Sequence, residues 1–435
     1  MKKTIAILLV AVLAAGSVFA GFSGSASVKA GYDLQNKEYG FFKNGTNVKF
    51  DLSLGKEDAE KVAEGEVYAS IKASLEAKIA NNPYTGADKV APTSTTGIWA
   101  FTNDSPELVR IIAKVKEAKI FGSNWYVSIL GVPSGPDFAK SAIETVTDKA
   151  KGSADDWGFT RDEDTKKPVS YAVAYDKAPG VEAGYADYVV GLGFNSKEGS
   201  GTAFTAYAMT PEYEFDAVKA QFAAVASKKA LAGTKNVGAS AKASYATDVV
   251  SVSLATDLGA AIAKETKFDA DVAANFKYDF VTVDAYFSTV GKLLSAKAVT
   301  DLNSFEVPVK LTLTGKDLIN KQDLKAEAEF VAVEGLTVKA NVGYGIADKK
   351  VSVGGGVEYK ADAYKATANA GFATEVGKDN ANVLTFDAAV ESEVLVPGAT
   401  LKLAYGKTAD KQNLLSGQTL AQDLGKVEAS CTIKF

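Results

Sequence analysis

The sequence predicts an all-β fold, specifically a transmembrane antiparallel β-barrel. Apolar and polar residues alternate along many runs, and successive side chains of a strand point to opposite faces. Many of these runs are about nine to thirteen residues long, whereas strands of soluble proteins average about five to six. A tilted strand that crosses a bilayer needs about 9–11 residues. After residue 20 there is no apolar stretch of about 18 residues, so no transmembrane helix is expected.

The first twenty residues are predicted to be a cleaved secretory signal peptide. Lys2 and Lys3 provide a positive start, and residues 5–15 form an apolar segment that is short for a membrane span. Small residues follow, so cleavage is expected after Ala20. Residues 21–435 then form a single barrel domain, because no linker or change of composition divides them. An uncleaved anchor helix is the alternative for the leading segment.

Period-two alternation marks the predicted strands. The clearest are 22–34, 46–54, 67–79, 268–278, 307–313, 324–330, 336–344, 351–359, 364–372, 384–390, 399–405 and 427–435. Short polar breaks between them, such as Glu334-Gly335, indicate antiparallel neighbours. We allot roughly twenty residues to each strand with its share of loop. Because bacterial single-chain barrels have even strand numbers, we expect about 16–20 strands, with 18 or 20 favoured.

Two segments fit either a helix or a strand. Residues 105–107 suit a helix start and residues 108–115 keep helical spacing, but residues 109–115 also alternate and Gly122-Ser123-Asn124 suits a turn, so we favour a hairpin over 105–129. Residues 215–232 are equally ambiguous because they are rich in Ala and Lys. Longer breaks are expected near residues 81–101, 132–168, 288–306 and 407–425. Short turns that alternate with long loops are typical of an outer-membrane barrel, whose periplasmic turns are short and whose extracellular loops are long.

The cost of placing charge in lipid assigns the two faces. A lysine on the lipid face at mid-membrane costs about 2–4 kcal/mol, so the charged faces should line a water-filled lumen. The candidate pore-lining residues are Lys29, Lys49, Lys72, Glu76, Lys78, Asp269, Asp271, Lys310, Lys339 and Lys402. Bases and acids are mixed on this face, which predicts weak ion selectivity.

The loop at about 132–168 has two interpretations. Folded inward, it would form a constriction lined by Arg161, Asp162, Glu163 and Asp164. The alternative is a solvated surface loop that carries the same acidic cluster.

Composition excludes several function classes. The chain has no His, which excludes Ser-His-Asp and Cys-His catalysis and imidazole zinc sites. We therefore expect no enzyme and predict no cofactor or metal site. Cys431 is the only cysteine and can form no intrachain disulfide. The net charge is −5 and nearly all bases are Lys, which disfavours nucleic-acid binding. A soluble β-protein outside the cytoplasm is the structural alternative.

A signal segment, amphipathic β-runs and an alternating strand that ends on Phe435 resemble Gram-negative outer-membrane porins. In that class the final aromatic strand is read by the barrel-assembly machinery, so the resemblance implies this partner, with Phe435 as the signature. It also implies outer-membrane lipid, small hydrophilic solutes and ions as partners, and it is compatible with a homo-oligomer. The opening GFSGSASVKAGYDL after MKKTIAILLV is similar to spirochaetal outer-membrane proteins of the treponemal major surface protein type.

The resemblance implies a diffusion porin in the cell outer membrane. The chain departs from many trimeric porins because it lacks an arginine ladder for a constriction, which puts trimer-porin identity in doubt. The long polar loops leave a second hypothesis, a surface-exposed adhesin or a structural outer-envelope protein on a β-barrel scaffold.

Overall fold

The computed structural model describes most of the chain, and the structural statements below concern these residues. They are 22–34, 38–42, 47–55, 65–80, 98–99, 108–129, 138–139, 141–143, 180–197, 201–228, 235–262, 266–289, 292–377, 383–406 and 425–434. Their secondary structure is almost entirely β, in one 25-stranded sheet, with a short 3₁₀ helix at Leu302–Phe305. None of the described residues forms a helix long and apolar enough to cross a membrane.

The strands follow one another along the chain with few interruptions. In the N-terminal half they are β1 Phe22–Asp33, β2 Glu38–Phe42, β3 Asn47–Gly55, β4 Tyr68–Ala80, β5 Ile98–Trp99, β6 Leu108–Phe121, β7 Trp125–Ile129, β8 Gly180–Tyr185, β9 Tyr188–Lys197, β10 Gly201–Met209, β11 Tyr213–Phe215 and β12 Val218–Lys228. In the C-terminal half they are β13 Lys235–Ala246, β14 Val250–Ile262, β15 Lys267–Tyr278, β16 Val281–Ser288, β17 Leu293–Asp301, β18 Val309–Lys316, β19 Asp323–Val333, β20 Leu336–Gly345, β21 Lys350–Lys360, β22 Lys365–Glu375, β23 Val383–Val396, β24 Ala399–Tyr405 and β25 Lys426–Lys434.

The sheet closes on itself as an antiparallel meander. β1 pairs with β25 along a continuous register from Ser25↔Lys434 to Asp33↔Lys426. Within the described residues, 22 strands form this closed barrel. The other three strands are attached to it: β2 pairs with one end of β1, β5 pairs with β2, and β11 pairs with the start of β12. A closed ring leaves no unpaired edge along its wall.

The expected number of 16–20 strands is wrong, because the closed barrel has 22 among the described residues. The connections are shorter than the assumed share of loop, as in the β8–β9 turn, where Ala186 and Asp187 both have positive φ (46° and 66°) and form the tight hairpin turn that such values favour. Gly335, with φ 80°, closes the β19–β20 hairpin in the same economical way. In addition, β7 and β8 have only five and six residues. Less chain per strand allows more strands.

Other sequence predictions are settled segment by segment. The hairpin favoured at 105–129 is confirmed as β6 and β7, which pair through Phe121↔Tyr126. The ambiguous segment 215–232 contains the strand β12. The expected break at 288–306 is wrong: it contains β17, which completes ladders with both β16 and β18.

The two ends of the barrel differ in their connections. One end carries mostly short turns, including those after β8, β15, β19 and β23. The other end carries the longest connections, which follow β4, β7 and β24. The three longest connections therefore lie at one end, although that end also has short connections, such as the one between β20 and β21.

Candidate functional site: the interior of the barrel

The two faces of the barrel wall differ in chemistry and curvature. In β18, Leu311 and Leu313 lie on one face and are 42% and 60% exposed. Lys310 and Thr312 lie on the other face, which borders a cavity of about 810 Å³. This cavity extends along the wall from β17 to β23. Ser295 of β17 and Asp271 of β15, on the same polar face, are only 0% and 2% exposed. Because the inner face of a closed barrel is the enclosed one, the polar side chains face the interior.

Several predicted pore-lining residues of the N-terminal strands belong to interior ion pairs. Lys29 is 7% exposed, and its Nζ lies 2.6 Å from Glu428 Oε1 across the β1–β25 seam. The remaining contacts are Lys49 Nζ to Asp51 Oδ2 at 2.7 Å, Lys72 Nζ to Glu117 Oε2 at 3.8 Å, and Glu76 Oε1 accepting from Asn47 Nδ2 at 3.2 Å. These partners come from the same or the adjacent strand, so charge is compensated locally.

The predicted residues of the C-terminal strands follow the same rule in part. Lys339 Nζ lies 3.5 Å from Glu329 Oε2, and Lys402 Nζ lies 3.9 Å from Glu391 Oε2. Asp271 is 2% exposed and accepts a hydrogen bond from the Tyr286 hydroxyl at 3.0 Å. Lys310 borders the cavity described above.

Some predicted positions lie outside the described residues. These are the cleavage position Ala20, the loop residues Arg161, Asp162, Glu163 and Asp164, and the terminal Phe435. Lys78 and Asp269 are placed in β4 and β15, but their side chains are not among those described. Pore lining by the ten predicted residues therefore stays a prediction.

A short part of the long connection between β7 and β8 lies inside the barrel. The backbone N–H groups of Phe138 and Ala139 donate to the Asp257 carboxylate of β14, at 3.1 Å and 2.8 Å. Asp257 is 2% exposed and Ala139 is 3% exposed. Lys242 of β13 places its Nζ 5.5 Å from the centre of the Phe138 ring. Phe138 and Ala139 thus lie against the interior wall at β13 and β14.

A second interior cluster centres on Glu182 of β8. One carboxylate oxygen accepts from the Tyr126 hydroxyl at 2.8 Å, and the other accepts from the Tyr207 hydroxyl. The tyrosine rings lie over glycines: a Cβ at Gly191 would contact the Tyr207 ring, and one at Gly184 would contact the Tyr126 ring. Glycine at these two positions makes room for rings that lie flat against the wall.

Sequence reasoning missed both Asp257 and Glu182. Asp257 is the one carboxylate on the interior face of β14, where its neighbours on that face are small, such as Ala255 and Gly259. A single carboxylate among small residues on an interior face can indicate a docking position, because the small side chains leave space in which another segment can reach the carboxylate. Glu182 carries a similar signal, since its cross-strand partner is Gly191.

The interior chemistry is polar and charge-paired. Within the part of the chain that the structure describes, no group of three or more His, Cys, Asp or Glu side chains is arranged to hold a metal ion. Ammonium–carboxylate pairs and hydroxyl groups can solvate small polar molecules.

Comparisons with known proteins give only distant likenesses. No family model matches the chain, and no curated protein matches it. Among solved structures, the translocation pore of the P pilus usher PapC aligns with 95% of this chain and 99% of its own, at 9% identity and a TM-score of 0.38. A mutant of the Rhodopseudomonas blastica porin aligns over the same shares, at 10% identity and a TM-score of 0.30. At these TM-scores the conclusions rest on the barrel's own geometry.

Proposed function

We propose that the chain forms a water-filled, weakly selective pore in an outer membrane, through which small hydrophilic solutes and ions diffuse. The observation that carries the proposal is the closed ring of 22 strands with apolar side chains outside and paired charges inside. A barrel of this size encloses an aqueous channel unless it is plugged.

The outer face supports the membrane location. Phe222 of β12 and Leu254 and Leu258 of β14 are about half exposed, at 50%, 52% and 49%. Soluble monomers rarely expose apolar patches larger than about 300–600 Å², whereas this face continues around the barrel. Transfer of apolar surface out of water is favourable by about 25 cal/mol per Å². Contact with lipid acyl chains would therefore stabilise this outer face relative to contact with water.

Aromatic residues at the short-turn end support the same location. Phe280 and Phe305 pack edge to face with ring centres 4.8 Å apart, and the hydroxyls of Tyr188 and Tyr213 lie 2.9 Å apart. Tyr185 is 63% exposed beside the β8–β9 turn. Tyr and Trp concentrate where a membrane-spanning wall meets the headgroups.

The interior charges support weak selectivity. The interior wall of the C-terminal strands carries both signs in close contact, and the contacts are Lys325–Glu327 at 2.7 Å, Lys339–Glu329 at 3.5 Å, Lys365–Glu358 at 3.0 Å and Lys402–Glu391 at 3.9 Å. Alternating signs cancel the field beyond about a Debye length, which is about 8 Å at physiological ionic strength. A pore with such a wall should pass both cations and anions.

The remaining expectations stay part of the proposal. They are insertion by the barrel-assembly machinery, contact with outer-membrane lipid and a homo-oligomeric state. Catalysis is not part of the proposed function. The adhesin hypothesis depends on long loops that are mostly outside the described residues, so it remains the alternative.

Planar-bilayer recording with side-specific labelling tests the proposal. The refolded chain should give stepwise conductance. Single-cysteine variants in a Cys431→Ser background should place Val338 and Leu403 in lipid, and the adjacent Lys339 and Lys402 in water, by collisional quenching of an attached probe. A folded β-rich chain that conducts no current, or probes that report water on both faces, would contradict the proposal.

A further inference from the structure

A basic concavity occupies the interior wall between β17 and β23. The charged residues that border the 810 Å³ cavity are Lys297, Lys310, Lys325, Lys339, Lys350, Glu327 and Glu329. The two glutamates are already paired, with Lys325 and Lys339 respectively. The other three lysines therefore give this part of the wall a local positive charge, although the wall as a whole carries both signs.

Two of these lysines have no ion pair because of the strand register. Asp284 lies directly across from Lys297, but its Oδ1 accepts a hydrogen bond from Asn275 Nδ2 at 2.7 Å. Asp301 lies directly across from Lys310, but its Oδ1 caps the following 3₁₀ helix through a backbone amide at 3.0 Å. Within the described ranges, no carboxylate oxygen approaches either ammonium group to within 4.0 Å.

The neighbouring positions can converge on one small ligand. Lys297 and Lys310 lie on adjacent strands, four residues out of register, because Lys297 lies across from Thr314. With about 3.3 Å per residue and about 4.8 Å between strands, their Cα atoms are about 14 Å apart, and the hydroxyl of Thr312 borders the cavity between them. The neutral amide of Asn341 and the hydroxyl of Ser352 border the same cavity. Ammonium groups beside neutral hydrogen-bonding groups suit an anion that carries several oxygen atoms.

We infer that this concavity binds a small multivalent oxyanion and that Lys297 and Lys310 determine its affinity. The inference rests on the proposed pore and names a preferred class of solute for it. Rings of lysine favour anions and phosphate in pores, and a cleft lined by one sign of charge concentrates its counter-ion. In water, one unit charge at about 4 Å corresponds to about a fivefold change in binding. Removal of both lysines should therefore weaken oxyanion binding by up to about twenty-five-fold.

Block of chloride current by inorganic phosphate tests the inference. Full-length chain is recorded in a planar bilayer at about 0.1 M chloride, where the Debye length is about 10 Å, and phosphate is added stepwise. The test variant is Lys297→Gln with Lys310→Gln. The matched control is Lys365→Gln with Lys402→Gln, which removes two interior lysines that are paired and lie outside the cavity.

The expected result is saturable block of the wild-type current. The half-blocking phosphate concentration should rise by about ten- to twenty-five-fold in the test variant and stay within about threefold in the control. Equal shifts in the two variants, or no block of the wild type, would overturn the inference.

A pore that conducts nothing would refute the proposed function, and the site would then be tested separately. Calorimetric titration of the folded barrel in detergent with inorganic phosphate serves this purpose. Binding to the wild type that is lost in the Lys297→Gln, Lys310→Gln variant supports the site. Absent binding, or equal binding in wild type and test variant, overturns it.

Discussion

The contact between Asp257 and the interior segment can be broken by one substitution. Asp257→Ala removes the carboxylate that accepts from the backbone of Phe138 and Ala139. Hydrogen bonds to a charged group contribute about 1.5–3 kcal/mol each, and Asp257 is 2% exposed, so water competes little for it. Loss of both bonds should weaken docking of the segment by about 3–6 kcal/mol.

Thiol labelling can measure that change. With Cys431 replaced by Ser, Ala139→Cys places a thiol at a position that is 3% exposed while the segment is docked. A loss of about 3–6 kcal/mol corresponds to a change of about 10²–10⁴ in the docking equilibrium. Labelling by a water-soluble reagent should accelerate by a similar factor in Asp257→Ala. Single-channel conductance should increase too, because the segment leaves the interior wall.

Asp284→Ala is the matched control for this experiment. It removes an interior carboxylate that accepts from Asn275 and has no described contact with the segment. Equal labelling rates at Ala139→Cys in the Asp257→Ala and Asp284→Ala backgrounds would refute the anchoring role of Asp257.

Two further substitutions test the packing and the face assignment. Gly191→Ala places a Cβ against the Tyr207 ring and should lower the free energy of unfolding by about 1–3 kcal/mol in urea titrations, whereas Gly193→Ala, with nothing within 4 Å, should change it little. Leu313→Lys on the outer face should cost about 2–4 kcal/mol of folding free energy in lipid vesicles, and Thr312→Lys on the inner face should be tolerated; similar costs for the two lysines would contradict the outward orientation of the apolar face.

The strands were predictable because they obey one local rule. In β4 and β15, every second residue must suit the same surroundings, so alternation survives in the sequence despite the weak β-propensity of Ala and Lys. The number of strands was not predictable in the same way, since it depends on how little chain each turn uses. The turn at Ala186–Asp187 illustrates the problem, because it joins two strands without a Gly or Pro signal.

The interior contacts were harder to predict for a different reason. The sequence around Phe138 and Ala139 has no periodicity, and these two residues are attached through backbone amides, which every residue but proline has. Asp257 in turn looks like any other polar residue on an inner face until its partner, 118 residues away, is known. The ion pairs were only partly predictable. The mixture of acids and bases on the inner face could be recognised in the sequence. The capping role of Asp301, which leaves Lys310 without an ion pair, depends on a 3₁₀ helix that the sequence pattern did not predict.

The seam between β1 and β25 has a consequence for assembly. Ser27 and Thr432 are 405 positions apart, yet their hydroxyls lie 3.1 Å from each other, and the buried Lys29–Glu428 contact sits beside them. The barrel therefore cannot close until β25 has been synthesised and pairs with β1. Without β25, the edges of β1 and β24 would expose backbone N–H and C=O groups that lack hydrogen-bond partners in the sheet. Each edge could then pair with a strand of another copy. Binding of the incomplete chain by chaperones, more than the stability of the closed barrel, would then determine how much of the protein aggregates before assembly.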